Sequence, residues 1–479
     1  MALATAKKPG LFITRSIDAM AEETRAAAGP QLRRALGPWA LIAIGLGDMV
    51  GAGIFATIGT GVHMAGPAVI ASFLIAGVAC GFAALCYAEM SSMVPIAGSA
   101  YTYTYATIGE FIAWIIGWDL ILEYAISAAP VATALSQNLQ TAMGGAGYHL
   151  PMWLAAARSA STPHGVFDAF SFLTVILIAI LVSVGIRESA GSNSIMVIVK
   201  MAILAVFVLV GIKFLNPANW HPFSPNGFHS IINGAFYVFF AFIGFDAVTT
   251  TAEEAKNPQR DLPIGVLGSL ALGGIFYVVV ALVLTGMQPA SKIDINAPLA
   301  VALEAVHLPA VAWLMAVGVI FGAVSVVLTS LLGQARIFFV MGRDGLLPKW
   351  MSAIHPRFRT PARMTMITGI IVGVLAGFVP LDWLLSLVNI GTLSAFVLVC
   401  AGVIVLRYTQ PDRVRRFRVP LVPLVPALGI LLSLFLASYG SGPVVWIRFG
   451  IWLLVGLLIY FGYGYRHSEA RKAALARRT

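Results

Sequence analysis

The chain has 479 residues, of which 59% are hydrophobic and only 10% charged, with a formal net charge of +10. An ordinary soluble protein carries about 25% charged residues, so a soluble enzyme, a disordered chain and a fibrous one are all excluded. What is left is a polytopic membrane protein, and apolar runs of about 20 residues rather than short alternating strands make it helical.

Residues 1–36 are polar and mixed in charge, with no long apolar run after Met1. No cleavable signal peptide is expected; the segment reads as a cytoplasmic tail with a short amphipathic helix near Leu11–Met20. Twelve apolar segments are expected to follow, near 38–60, 66–94, 109–138, 167–186, 193–214, 229–252, 264–287, 308–335, 364–380, 383–406, 420–439 and 445–465. A basic tail, Arg466 to Arg478, comes after the last of them.

With the N-terminus inside, 25 of the 30 Lys and Arg residues fall in inner loops and tails. Three (Arg158, Lys213 and Lys292) fall outside, Arg448 starts the last segment on the outer side, and Lys200 sits within a membrane segment. This asymmetry is a positive-inside signal for two cytoplasmic termini, and an odd number of segments would scramble it. The basic excess is therefore an orientation signal and calls for no nucleic acid partner. Cys80, Cys86 and Cys400 all lie in apolar segments and read as small core residues, so neither a disulfide framework nor a cysteine metal site is suggested.

Two segments look interrupted. The first contains Gly45, Gly47, Asp48, Gly51 and Gly53 in the run GLGDMVGAGIF. Each glycine costs a helix about 1 kcal/mol relative to Ala. The sixth carries Phe239 to Asp246, with Gly244 near its end. Helical backbone breaks inside a membrane only where protein or a water-filled cavity satisfies the freed amides. Breaks in the first and sixth segments are the pattern of two five-helix inverted repeats with a ligand between them; the alternative is close helix packing through small residues. The N-terminal end of a half-helix suits a carboxylate, and the carbonyls ending its partner suit an ammonium. One such pair matches a zwitterionic amino acid, with Phe239, Phe240, Phe242 and Phe245 placed to close over it.

Lys200 is the sharpest single feature. A charged lysine near mid-membrane is expensive, which makes it a candidate for giving up a proton; the alternative is snorkelling to the inner interface. Asp119 and Glu123 are four residues apart and share one face of the third helix, where Glu123 either lines a cavity or makes a structural hydrogen bond. Asp246 follows the second break, as a cap or a proton-responsive group, and Asp48 fixes the first break. The eight histidines are scattered without metal-ligand spacing, and there is no HExxH, P-loop or nucleophile elbow, so neither an enzyme nor a bound cofactor is expected. No stretch is long and polar enough to form the nucleotide domain of a pump.

The GAGIF stretch, YAEMSSMVPIAGSAYTY (Tyr87–Tyr103), FIGFDAVTTTAEEAKNPQRDLP (Phe242–Pro263) and QARIFFVMGRDGLLP (Gln334–Pro348) together resemble the amino acid–polyamine–organocation superfamily. The bacterial cationic amino acid transporter homologues are the branch they look like, and the resemblance spans about residues 35–465. It implies an all-α, 12-helix membrane fold with a five-plus-five inverted repeat, helices 1 and 6 unwound at mid-membrane, and two extra helices. The implied divisions are tail 1–36, repeat 37–214, repeat 215–406, helices 407–465 and tail 466–479.

Carried over by position, the Ala52 and Gly53 amides would hold a substrate carboxylate, and the carbonyls of Met49, Phe240 and Ile243 its amino group. Phe240 falls at an aromatic gate position. Gly51 and Gly244 give the breaks their freedom. Several relatives have Ser or Thr where this chain has Ala52. Lys200 matches the place of a sodium ion in sodium-coupled relatives, its ammonium standing in for the ion. Glu89 resembles a gate residue paired with Arg336, or else belongs to a plain surface pair.

The implied function is proton-coupled transport of L-amino acids across the cell inner membrane by alternating access, with H+ as coupling ion. The alternative is an exchanger on the same fold. Cationic and small neutral substrates both stay open. The partners implied are a small L-amino acid, the lipid bilayer and, left open, a small membrane accessory subunit.

Overall fold

A computed structural model describes residues 10–16 and 36–476, apart from 95, 97, 146, 160–161, 185–189, 357 and 359. The apolar stretches are helical, and no sheet forms among the described residues; two isolated bridges, Leu36–Ala255 and Ala157–Val166, pair extended backbone. Helix α1 (Pro38–Met49) begins with proline, whose missing N–H is no loss in a first turn. Two residues later α2 (Ala52–Ala65) starts, and α3 (Val69–Met93) and α4 (Ser99–Thr107) follow.

Helix α5 (Glu110–Leu120) runs through a π-helical turn, Ile121–Ile126, into α6 (Ala128–Gly145). Then come α7 (Ala169–Val184), α8 (Ala190–Gly211) and α9 (Gly227–Val238). After α9 the chain tightens into a 3-10 turn, Phe239–Phe242, loosens, and makes one further helical turn, Ala247–Thr250. The remaining long helices are α10 (Pro258–Met287), α11 (Pro309–Arg343), α12 (Ala362–Phe378), α13 (Leu381–Thr409), α14 (Leu424–Gly440) and α15 (Pro443–Ile459), and a short α16 (Glu469–Ala476) ends the described chain.

Among the described residues eight helical runs are long and apolar enough to cross a membrane, and α1, α7, α12 and α14 are shorter apolar helices. The chain is thus an all-helical, multi-pass membrane protein. The α5–α6 run and the α9 region are mostly buried, whereas α15 is mostly exposed, so the centre is built around α5, α6 and α9 with α15 at the rim.

The face that carries the described parts of both termini corrects two expectations. Residues Leu11 to Ser16 form a turn and extended chain instead of an amphipathic helix; 17–20 lie outside the described residues, as does Arg187. The carbonyls of Ile13 and Leu11 accept the N–H groups of Glu110 and Phe111 at 2.9 and 3.3 Å. Those amides open α5 and have no partner within it, so the tail is extended because it caps another helix. Its close approach is permitted at Gly109, where an added Cβ would lie 2.7 Å from the Phe12 carbonyl carbon.

The second correction is the partner of Glu89. Its fully buried carboxylate takes Arg407 through Nε and Nη2 at 2.9 and 2.7 Å, Arg415 at 3.2 Å, and the Val419 N–H at 2.7 Å. Arg336 pairs with Glu254 instead, at 3.0 Å. A carboxylate without water needs several donors at once, and Arg407 at the end of α13 with Arg415 and Val419 of the segment after it supply them where Arg336 does not reach. Glu110 is satisfied in the same way: Arg471 at 2.6 Å, Tyr460 at 2.9 Å, Tyr105 at 3.0 Å and the Ser468 hydroxyl. The basic C-terminal tail therefore closes over a buried acid.

Candidate functional site

The two breaks lie against each other. At Gly53, in the first turn of α2, an added Cβ would fall 2.5 Å from the Ala241 Cα, so only glycine lets the two irregular segments meet. Gly51, between α1 and α2, sits against the Gly322 carbonyl of α11. Gly244 has φ +114°, a region that favours glycine, and a Cβ there would collide with the Asp48 side chain. The last carbonyls of α1 and the first amides of α2 have no partners inside their own helices. The irregular backbone therefore exposes both donors and acceptors in the middle of the protein.

A small, partly enclosed cavity of about 20 Å³ lies at this junction. Of the residues singled out in the sequence, Asp48, Met49, Gly53, Glu123, Phe240, Ile243 and Gly244 line it. Ala52 begins α2 next to it. Among the four phenylalanines only Phe240 reaches the cavity. Phe239 and Phe245 pack on Phe396 at 5.7 and 5.3 Å between ring centres, and Phe242 packs on Tyr277 at 5.3 Å, so these three are core residues rather than a lid. The Phe240 carbonyl accepts the Ile243 N–H at 3.2 Å, closing the 3-10 turn and leaving a second lone pair.

The opposite wall comes from the π-helical turn between α5 and α6 and from α11. Glu123 and Tyr124 fall within the π-helical turn, an irregularity that recurs at functional sites because it re-aims side chains. The Tyr124 hydroxyl donates to Asp246 at 3.0 Å. The Glu123 carboxyl faces that of Asp246, and no protein donor reaches either Glu123 oxygen. Ionised carboxylates only accept hydrogen bonds, so two that face each other bond only with a proton between them. Asp119, one turn earlier, is buried with no donor on either oxygen and lies outside the cavity wall.

Lys200, on α8, is fully buried and donates through Nζ to the Gly47 carbonyl in the last turn of α1. It does not snorkel. The lysine ammonium occupies the end of a half-helix, where orphan carbonyls attract a cation. Asp48 lies within electrostatic reach of both Lys200 and Asp246, and its Oδ1 accepts the Thr329 hydroxyl at 2.5 Å.

Four further wall residues, Tyr124, Ser127, Val326 and Ser330, were not singled out in the sequence. Helical spacing is the signal for two of them: Ser127 is four residues beyond Glu123, and Ser330 is four beyond Val326. The Ser127 and Ser330 hydroxyls approach to 3.4 Å, joining α11 to the end of the π-helical turn.

A family profile described as amino acid permease matches residues 36–461. The chain is 45% identical over 408 residues to the methylthioribose transporter of Bacillus subtilis (strain 168), covering 85% of this chain and 88% of that protein. It is 46% identical over 409 residues to the branched-chain amino acid permease BcaP of the same organism, covering 85% and 87%. It is 39% identical over 359 residues to the vacuolar cationic amino acid transporter 4 of Arabidopsis thaliana, covering 73% of this chain and 59% of that protein. A profile over nearly the whole described chain and relatives at this identity are decisive: the chain belongs to the amino acid permease family, within the amino acid–polyamine–organocation superfamily, and is a transporter rather than an enzyme.

Proposed function

We propose that the chain is a secondary active transporter that moves an L-amino acid together with a proton by alternating access. In this reading it spans the membrane twelve times, with residues 37–214 and 215–406 as inverted five-helix repeats, 407–465 as two added helices, and both tails in the cytoplasm. The substrate carboxylate sits on the first amides of α2, at Ala52 and Gly53. Its ammonium meets the carbonyls of Met49, Phe240 and Ile243, and its side chain points to Glu123, Ser127 and Ser330.

The observation that carries the coupling is the buried Lys200 ammonium on the Gly47 carbonyl. A charged Lys200 ties α8 to the last turn of α1, and a neutral one loosens that tie. Proton loss toward the cytoplasm then lets α1 swing away and release the substrate. Glu123 and Asp246 hold a second exchangeable proton beside the cavity. Cargo identity does not follow from likeness, because relatives named for methylthioribose and for branched-chain amino acids are equally similar to this chain.

Radiolabelled amino acid uptake into proteoliposomes, with and without an inward proton gradient, tests the reading. The gradient is expected to drive accumulation, and Lys200→Ala is expected to abolish the gradient's effect. Undiminished gradient-driven uptake in that variant would overturn the role of the lysine. Uptake governed by internal amino acid, with no response to the gradient, would identify an exchanger.

A further inference from the structure

A second cavity, of about 130 Å³, opens on the face that carries the tails and ends just below the substrate cavity. Arg336 and Glu254 stand at its rim, and Thr329 lies at its inner end. Asp48 and Tyr124 line both cavities, so they form the partition between them. Tyr124 is wedged: its hydroxyl is held by Asp246, and its ring lies so close to Gly333 that a Cβ there would come within 2.8 Å of it.

Asp48 is held differently. One oxygen accepts the Thr329 hydroxyl at 2.5 Å, and the other lies against Gly244 in the second break. Both Asp48 and Thr329 are half-buried and reach the outer cavity, whereas Glu123, Ser127, Phe240 and Ser330 on the far side are buried. One carboxylate thus fills the space between the two breaks and α11, and one hydroxyl fixes it there. The hydroxyl also lies 3.1 and 3.0 Å from the Ser325 and Val326 carbonyls of its own helix. It has a single proton to give, and the shorter contact to a carboxylate is the stronger one.

We propose that the Thr329–Asp48 hydrogen bond is the inner gate of the substrate cavity: made, it separates the cavity from the vestibule; broken, it joins the two. Thr329 is then a positioning residue that acts through Asp48. The proposal rests on the transporter reading, but its test needs no substrate.

Ser330→Cys places a thiol in the inner cavity, and the native Cys80, Cys86 and Cys400 are buried and supply a quiet background. A membrane-impermeant methanethiosulfonate is applied to sealed vesicles of each orientation, and the rate of modification is followed. Adding Thr329→Val is expected to speed modification about tenfold or more, and only from the face bearing Arg336, because one charge-assisted hydrogen bond is lost. Thr329→Ser is expected to restore the slow rate. Asp48→Asn, which keeps the shape and removes the charge, is expected to speed it as well, so the test survives if the valine variant does not fold. Equal rates in all folded variants, or acceleration from the opposite face, would overturn the gate. A gate that opens as described in a protein that accumulates no amino acid would leave the gate standing and sink the cargo reading alone.

Discussion

Two sets of buried carboxylates behave in opposite ways. On the face that carries the tails, Glu89 and Glu110 are fully enclosed and surrounded by donors: two arginines and a backbone amide for one, an arginine and three hydroxyls for the other. Around the broken helices, Glu123 and Asp119 have no protein donor and Asp246 has one bare oxygen. Native proteins rarely leave buried polar atoms unpartnered, because each costs about 1–3 kcal/mol. The first set therefore holds the fold, and in the proposed reading Glu123 and Asp246 of the second are where a substrate or a proton would complete the bonding.

Removing Glu89 tests the first half of this contrast most severely. Glu89→Ala leaves Arg407 and Arg415 facing an empty space, and a cost of about 3–5 kcal/mol is expected as a lower thermal midpoint in detergent. Uptake per folded molecule should be unchanged; a midpoint near that of the parent would break the comparison. Arg471→Ala strands Glu110 and is expected to cost about 3 kcal/mol. The double change with Glu110→Gln should recover much of that loss, since it removes the stranded charge. Gly53→Ala probes the junction rather than an acid: its Cβ would overlap Ala241, costing about 1–3 kcal/mol of stability. Substrate affinity should fall with it, measured by ligand-dependent stabilisation.

Glu123→Gln is the counterpart of the first test. It keeps the volume, so stability should change by less than about 1 kcal/mol. The proton gradient should lose much of its effect on uptake. A strongly destabilised but fully coupled variant would move Glu123 into the structural set. Arg336→Ala should have the smallest effect of all, about 0–1 kcal/mol, because its pair with Glu254 is partly solvated.

Much of the central architecture was legible because glycine density and intramembrane charge are local signals. Gly51, Gly53 and Gly244 announced the two irregular segments, and sorting the basic residues by side isolated Lys200. Partners distant in sequence were not legible. Glu89 and Arg407 are 318 residues apart and meet only because the end of α13 packs beside α3. The loops expected on the same side offered many arginines, Arg336 among them, and composition does not say which is adjacent. The extended tail was hidden for another reason: Leu11 to Arg15 has helical spacing, but the uncapped amides of α5 compete for its carbonyls and win. Nor does any residue pattern announce the π-helical turn that re-aims Glu123 and Tyr124.

The small bridge at Leu36 has a mechanical consequence. Its N–H donates to the Glu254 carbonyl at 3.0 Å, and its carbonyl accepts the Lys256 N–H at 2.8 Å. Leu36 lies just ahead of α1, and residues 254–256 lie just beyond the second break. The free ends of two segments, each with its own break near the cavity, are thus riveted together beside the outer cavity. In the proposed alternating-access cycle, neither would swing without dragging the other or losing both hydrogen bonds, and the wall of the outer cavity would move as one hinged panel with two pivots.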